Sequence, residues 1–456
     1  MKGYCTVSVK KSNRGYFISS VIVALAVCAA QITGSTALIV GCLAAFTALA
    51  CLACCQNHAM PVLLFFLPWS QLLRTNPTSF SFYTISMVLV CAICVVKDWR
   101  HFKRYHLVAG ILLTFLTLLS KLIDGSFLSM NYIGFLMMFF MFPVVVYEWQ
   151  KERYDFEDVV RYLSWGVIAA SLCAQWFASY PNIARYIRVD AYLTIVRRCG
   201  FYGDPNFYTA QVTAALGGCL LLIMREGKRK GRGILLAQIL LLVYCGLLSG
   251  SKSFILTAGA MLLVWLDEIL MMRGRSRMKI FLLVCGVLAA IYISRSTLFG
   301  NLINVMITRF SFSKNLDSFT TGRMELWASY LDTLLTDVKV LLLGKGFTNV
   351  KLQGRASHNT VIQMIYQFGL IGIPVVIGWM VCFFKENVYA IRYADFLKRR
   401  TIIMLLGLFL PWMAIDVLFF DEFFLWQWYF ILCLNMEIDA EEAKQIEAEK
   451  LMNSAR

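Results

Sequence analysis

HNTVIQMIYQFGLIGIPVVIGWMVCFF, residues His358–Phe384, joins two kinds of sequence at one point. From Thr360 to Phe384 the chain is apolar, and 25 residues of helix outreach a hydrocarbon core of about 30 Å. Just before that run stands a histidine. Before the histidine comes a polar stretch, 295–357, carrying eight Lys and Arg residues. An imidazole at a membrane mouth beneath a basic loop points to an anionic ligand held in lipid.

The rest of the chain extends the membrane reading. Its 456 residues are 59% hydrophobic and only 15% charged, too little polar surface for a soluble protein of this size. About fourteen apolar runs follow one another. They open with Phe17–Thr33 and Ser35–Cys55, include a short one at Met60–Leu73, and reach Ile280–Ser294 before the long loop. Thr360–Phe384, Ile402–Leu418 and Phe423–Leu434 close the series. The expected fold is an all-α polytopic membrane protein: a single domain over 1–456 with about fourteen transmembrane helices. The first run is followed at once by a second and reads as a span, not a cleaved signal.

Lys and Arg set the orientation. With a cytoplasmic N-terminus, 28 of the 43 basic residues fall on the cytoplasmic side, and eight of the remainder lie in the one long loop. The net charge of +16 is thus mostly topology, and its short, separate juxtamembrane clusters do not describe a nucleic-acid surface. Two outer segments stand out by length, 180–206 and 295–357. The second predicts an amphipathic helix over Gly322–Thr336, with Leu326, Trp327, Tyr330, Leu331 and Leu334 near one face. The tail, 435–456, reads as a solvated cytoplasmic extension.

Of fifteen cysteines, thirteen lie in apolar runs, so no disulfide set is expected. Cys51-x-x-Cys54 and Cys91-x-x-Cys94 have the spacing of metal knuckles, but each falls within one apolar helix without histidine. They read as small buried hydrophobes. No metal site and no cofactor is expected. The acidic run at 155–158 reads as charge at a helix start. H-E-x-x-H, G-x-S-x-G and Walker signatures are absent.

The basic residues expected outside are few, and they recur beside glycine turns. Arg197 and Arg198 precede a turn with Gly200, Gly203 and Pro205-Asn206. Lys252 ends Ser249-Gly250-Ser251-Lys252, Arg323 begins the amphipathic helix, and Arg355 lies just before His358-Asn359. Guanidinium groups hold phosphate through paired hydrogen bonds and keep their charge, so this set suits a diphosphate anchored in lipid. The competing reading has them reaching headgroups or nearby carboxylates. His358 serves either as a proton acceptor near neutral pH or as the cap of the helix that follows it.

In order and spacing these segments resemble the O-antigen ligase and O-antigen polymerase superfamily of bacterial membrane glycosyltransferases. The likeness rests on H-N-x9-G-x-x-G at His358–Gly372, G-R-x-x-x-W at Gly322–Trp327 and G-x-G at Gly344–Gly346. The Arg197…Asn206 pattern and the Ser249–Lys252 turn add to it. It covers roughly 197–380. The resemblance implies cofactor-free glycan transfer at the outer face of the bacterial cytoplasmic membrane, from an undecaprenyl-diphosphate-linked oligosaccharide to a sugar hydroxyl. The acceptor glycan would be another lipid-linked repeat (polymerase) or lipid A core (ligase). A chain-length regulator and a flippase would be partners beside membrane lipids. It also implies that Arg197 and Arg323 hold the diphosphate and that His358 activates the acceptor. Arg198, Lys252, Arg355, Asn359 and Asn206 are expected to bind substrate, Lys252 standing where the family often has arginine. A lipid-linked oligosaccharide transporter and a non-catalytic assembly scaffold are the readings from other classes.

Overall fold

A computed structural model describes residues 14–101, 103–125, 128, 130–151, 156–187, 190–192, 195–224, 232–271, 322–347, 352, 355–388, 397–418 and 422–435, with isolated positions between 300 and 320. The run expected at Ile280–Ser294, most of the loop over 295–321 and the tail beyond 435 lie outside the described residues.

Up to the first hairpin the helices are α1 (Arg14–Thr33), α2 (Thr36–Cys55), α3 (Ala59–Phe66), α4 (Phe82–Asp98), α5 (Arg104–Ile123), α6 (Met130–Lys151), α7 (Phe156–Trp176) and α8 (Pro181–Ala184). A small antiparallel hairpin, β1 (Asp190–Tyr192) with β2 (Ile195–Arg197), modifies the all-α expectation. Then come α9 (Pro205–Met224), α10 (Arg232–Leu248) and α11 (Lys252–Met271). The last group is α12 (Arg323–Thr336), α13 (Val338–Leu343), α14 (Thr360–Asn387), α15 (Leu397–Leu408) and α16 (Glu422–Leu434).

Five of these, within α1, α2, α5, α9 and α14, are long and apolar enough to cross a bilayer. The chain is a helical, multi-pass membrane protein. Its outward surface explains why: on α5, Leu107, Ile111, Phe115, Leu118 and Leu122 are exposed at helical spacing, while His106, Ala109, Leu113, Leu116 and Ser120 on the other face are buried. An apolar stripe of that size facing outward is stable only against lipid.

The short run expected to span at Met60–Leu73 forms α3 and one 3-10 turn, Leu67–Trp69, and every residue from Ala59 to Trp69 is buried. Eleven residues of helix rise only about 16 Å, so this element lies inside the bundle and does not cross by itself. It is apolar all round because protein covers it all round. His58 just ahead of it is buried as well, its Nε2 3.3 Å from the Tyr162 hydroxyl. His106 is likewise buried and accepts from Trp379 Nε1 at 2.6 Å. Both imidazoles are thus held inside the bundle by aromatic partners. The acidic run places Glu157 and Asp158 in the first turn of α7, where Asp158 pairs with Arg161 at 2.7 Å.

Polar contacts between connections fall into two sets. At the C-terminal end of α1, Gln31 Nε2 donates to Arg74 O at 2.8 Å and Asn182 Nδ2 donates to Ile32 O at 3.2 Å. At the far end of α2, Lys97 Nζ donates to Cys54 O at 2.9 Å. Farther along the chain, Lys103 pairs with Glu386 at 2.9 Å and Asn435 Nδ2 donates to Asn387 O at 2.7 Å. The candidate residues all belong with the first set.

One crossing organises that end. Within α14, Gly369 has φ 63 and ψ 179, so the helix is broken there. The turn after α13 passes through the break, with Gly344 at φ 74. Both must lack a side chain. A Cβ on Gly369 would meet Leu342 O at 2.3 Å, and one on Gly344 would meet Gln367 O at 2.3 Å. Two motif glycines therefore serve a backbone crossing. Lys345 N donates to Tyr366 O at 2.8 Å, satisfying a carbonyl the break would otherwise orphan. We expect Gly369→Ala or Gly344→Ala to destabilise the fold by about 2–5 kcal/mol, from left-handed backbone plus overlap. Thermal denaturation in detergent checks this, with Gly378→Ala, where nothing lies within 4 Å of the added methyl, as the tolerated control.

Candidate functional site

The site begins where β2 ends. Arg197 is buried there, and its Nε donates to Ser249 O at 2.9 Å. Next to it the Arg198 amide donates to Leu248 O at 3.1 Å. Asp204 Oδ1 accepts from the amides of Asn206, at 2.7 Å, and Phe207, starting α9 as an acidic cap should. Asn206 Oδ1 accepts from Ser251 Oγ at 3.1 Å, and Ser251 N donates to Ser249 Oγ at 3.1 Å. Two motifs some fifty residues apart are thereby fastened into one block.

Arg323 joins this block from the long loop. It is the first residue of α12, preceded by Gly322 in the left-handed region at φ 76. Burial lowers its basicity; the Asp204 carboxylate opposes that effect and the Arg197 guanidinium reinforces it. The two arginines thus lie close enough to repel, with a carboxylate beside them. A bound dianion would relieve that repulsion.

From Arg323, α12 leads toward the histidine. Leu326, Tyr330 and Leu334 are its buried face. One turn on from Arg323, Trp327 Nε1 donates to Ser357 O at 2.9 Å, and Tyr330 OH donates to Arg355 O at 2.8 Å. The segment ahead of α14 thus hangs from α12 by two side chains. His358 is half-buried, with φ 50, a conformation that costs a non-glycine residue roughly 1 kcal/mol or more. Asn359 is buried and caps α14, its Oδ1 accepting from Val361 N at 3.0 Å and Ile362 N at 3.2 Å.

Structure therefore brings Arg197, Arg323 and Asp204 together and ties His358 to the same helix. Other candidates stand differently. Arg198 is exposed, its Nη1 3.4 Å from Gln175 Oε1. Lys252 Nζ lies 5.8 Å from the centre of the Phe310 ring, and Arg355 is exposed. The side-chain oxygens of Asn206 and Asn359 hold backbone and turn together. Among the described residues no three His, Cys, Asp or Glu side chains are grouped to hold a metal, although Cys54 and Cys94 bring their sulfurs within 3.6 Å.

Sequence analysis placed Trp327 and Tyr330 on one helix face but not against Ser357 and Arg355, which are distant in sequence, and it gave Asp204 and Asp416 no role. This carboxylate lies in the connection between α15 and α16. Thr360 Oγ1 donates to Ile415 O at 2.9 Å and accepts from Val417 N at 3.2 Å, pinning that connection beside the start of α14. Asp416 is 6% exposed, and its Oδ1 has no hydrogen-bond partner among the described residues. Its carboxylate accepts from the Leu418 amide. The one acid in an otherwise uncharged stretch was its signal.

No family model matches the chain, and no curated protein matches it.

Proposed function

We propose that this protein is a membrane glycosyltransferase that moves a glycan from an undecaprenyl-diphosphate donor to a sugar hydroxyl, as a repeat-unit polymerase of O-antigen, capsule or exopolysaccharide. The reading places about fourteen spans in the bacterial cytoplasmic membrane, both termini inside and the site at the outer face. Its chief support is the approach of Arg197 and Arg323 beside Asp204, with α12 joining that pair to the His358 segment. The same reaction onto lipid A core would make it a ligase. A chain-length regulator and a flippase are its expected partners.

The chemistry asks for two things. Negative charge grows on the bridging oxygen as the anomeric bond breaks, and the two guanidinium groups are placed to stabilise it; loss of one such donor typically costs about 10²–10³ in rate. The acceptor hydroxyl must lose a proton, worth about 10²–10⁴ when a base assists. His358 is the first candidate for that proton. Asp416, buried beside the start of α14, is the second.

The break in α14 gives a transporter reading its best argument, since transporters bind cargo at interrupted helices. Here, however, the break is filled by the chain at Gly344–Gly346, which leaves less room for cargo at that point.

His358→Ala and Arg323→Ala should each lower glycan transfer about 100-fold or more while membrane abundance is unchanged. A gel of the surface glycan measures this: single repeats on lipid A mark a lost polymerase, and long chains left on the carrier mark a lost ligase. Normal glycan in both variants removes the proposed site. Orientation has its own test. Thr336 is exposed at the end of α12, and Thr336→Cys should react in spheroplasts with an impermeant thiol reagent that leaves the parent chain unlabelled there. Labelling only after lysis inverts the topology.

A further inference from the structure

A second cationic cluster lies at the other end of α12. Lys121 is in the last turn of α5, Lys339 in α13, and Lys345 between the two glycines of the crossing. Ser120 Oγ donates to Gly344 O at 2.7 Å, and Lys339 pairs with Asp124, so α5 and the α13 turn are fastened together. Gly346 has a purpose here: a Cβ on it would stand 3.1 Å from Lys121 Cε and 3.3 Å from Thr117 O. The glycine lets the lysine stem pass beneath the turn.

The charges do not balance. Among the described residues the carboxylate acting on Lys121 is Asp124, against Lys339 and Lys345, and all three lysines act on Asp124. Lys121 is 6% exposed, its stem covered where Gly346 and the Thr117 carbonyl pass close to it. Three cations share one acid, and the most buried cation is not the one that pairs with it. Clustered cations in excess of their carboxylates attract an anion, and a phosphate oxygen suits them.

This cluster is separate from the arginine site. The groups acting on Arg323 are Asp204 and Arg197, and neither belongs to the lysine set. Between them runs α12, whose 14 residues span about 20 Å. One diphosphate cannot bridge that distance. Two phosphorylated ligands can.

We propose that Lys121, Lys339 and Lys345 form a second phosphate-binding site, which takes the membrane-anchored phosphate or diphosphate of the acceptor glycan while Arg197 and Arg323 take that of the donor. The assignment of acceptor and donor rests on the transferase reading above; the binding site itself does not. A glycan extending from each anchor would bring its reacting end toward the middle of α12, where Trp327 and Tyr330 hold the His358 segment.

The test uses the full chain in phosphatidylcholine nanodiscs, titrated with farnesyl diphosphate as a short membrane-anchored diphosphate. Two molecules should bind per chain. Lys121→Gln combined with Lys345→Gln should weaken one site about tenfold or more, and Arg323→Gln should weaken the other. Lys345→Gln alone, on a half-exposed residue, gives the same direction should the double variant fold poorly, and Lys121→Arg should retain binding. A single site, or two sites indifferent to the lysine substitutions, overturns the proposal. So does lysine-dependent binding of phosphatidylglycerol nanodiscs without lysine-dependent binding of farnesyl diphosphate, which makes the cluster a headgroup anchor. Because binding is read without turnover, two lysine- and arginine-dependent sites in a protein with no transfer activity would sink the transferase reading and leave this site standing. In an active protein, Lys345→Gln should raise KM for the acceptor and leave that for the donor unchanged.

Discussion

A helix interrupted within a membrane exposes backbone groups to a solvent that cannot hydrogen-bond them, each at several kcal/mol. That constraint governs the end of the molecule that carries the candidate site. Where α14 breaks at Gly369, the turn after α13 enters so closely that neither Gly369 nor Gly344 has room for a Cβ, and the Lys345 amide supplies a donor to Tyr366 O. Closing the break in this way fixes α13 against α5 and α14. It thereby fixes the far end of α12, so the helix carrying Arg323, Trp327 and Tyr330 stays packed against α14 and the segment ahead of it.

With α12 held, short-range chemistry builds the rest. Arg197 is anchored by Ser249 O and Asn206 by Ser251, so the hairpin turn and the α11 turn move as one. Arg323 then meets Arg197 across Asp204. Like charges held near each other before any ligand arrives raise the energy of the empty site, and in the proposed reaction that energy is released as negative charge develops. Asp204 keeps the arrangement tolerable, and its Oδ1 is already committed to the first amides of α9, which sets where it stands.

Sequence gave access to some of this and not to the rest. Membrane character followed from run length, because burial in lipid needs only composition. The helix expected over Gly322–Thr336 is observed over Arg323–Thr336, because its apolar positions recur at helical spacing. Met60–Leu73 shows where the inference fails: a helix buried in protein and one buried in lipid are equally apolar, and length alone separates them. Glycine motifs were legible as turns, but the partner that makes Gly344 indispensable is Gly369, and no local pattern records a crossing. Asp204 and Ser249 were visible as turn residues, while their work on Arg197, Arg323 and α9 needs contacts made across the fold. Asp416 was legible only as an oddity. Its significance comes from Thr360, which holds its two neighbours in place.

The placement of His358 ties the mechanics to the chemistry. Its left-handed backbone is unfavourable, and the residues on either side hold it there: Ser357 through Trp327, and Asn359 through the first amides of α14. A histidine whose only duty was to cap would not need that conformation, since Asn359 already caps the helix. Strain of this kind persists only where surrounding contacts over-determine the backbone, and those contacts come from the same α12 that begins with Arg323. A displacement of α12 would therefore disturb arginine and histidine together, as the proposed transfer requires, with cations at the departing diphosphate oxygen and a base at the acceptor hydroxyl across the anomeric carbon.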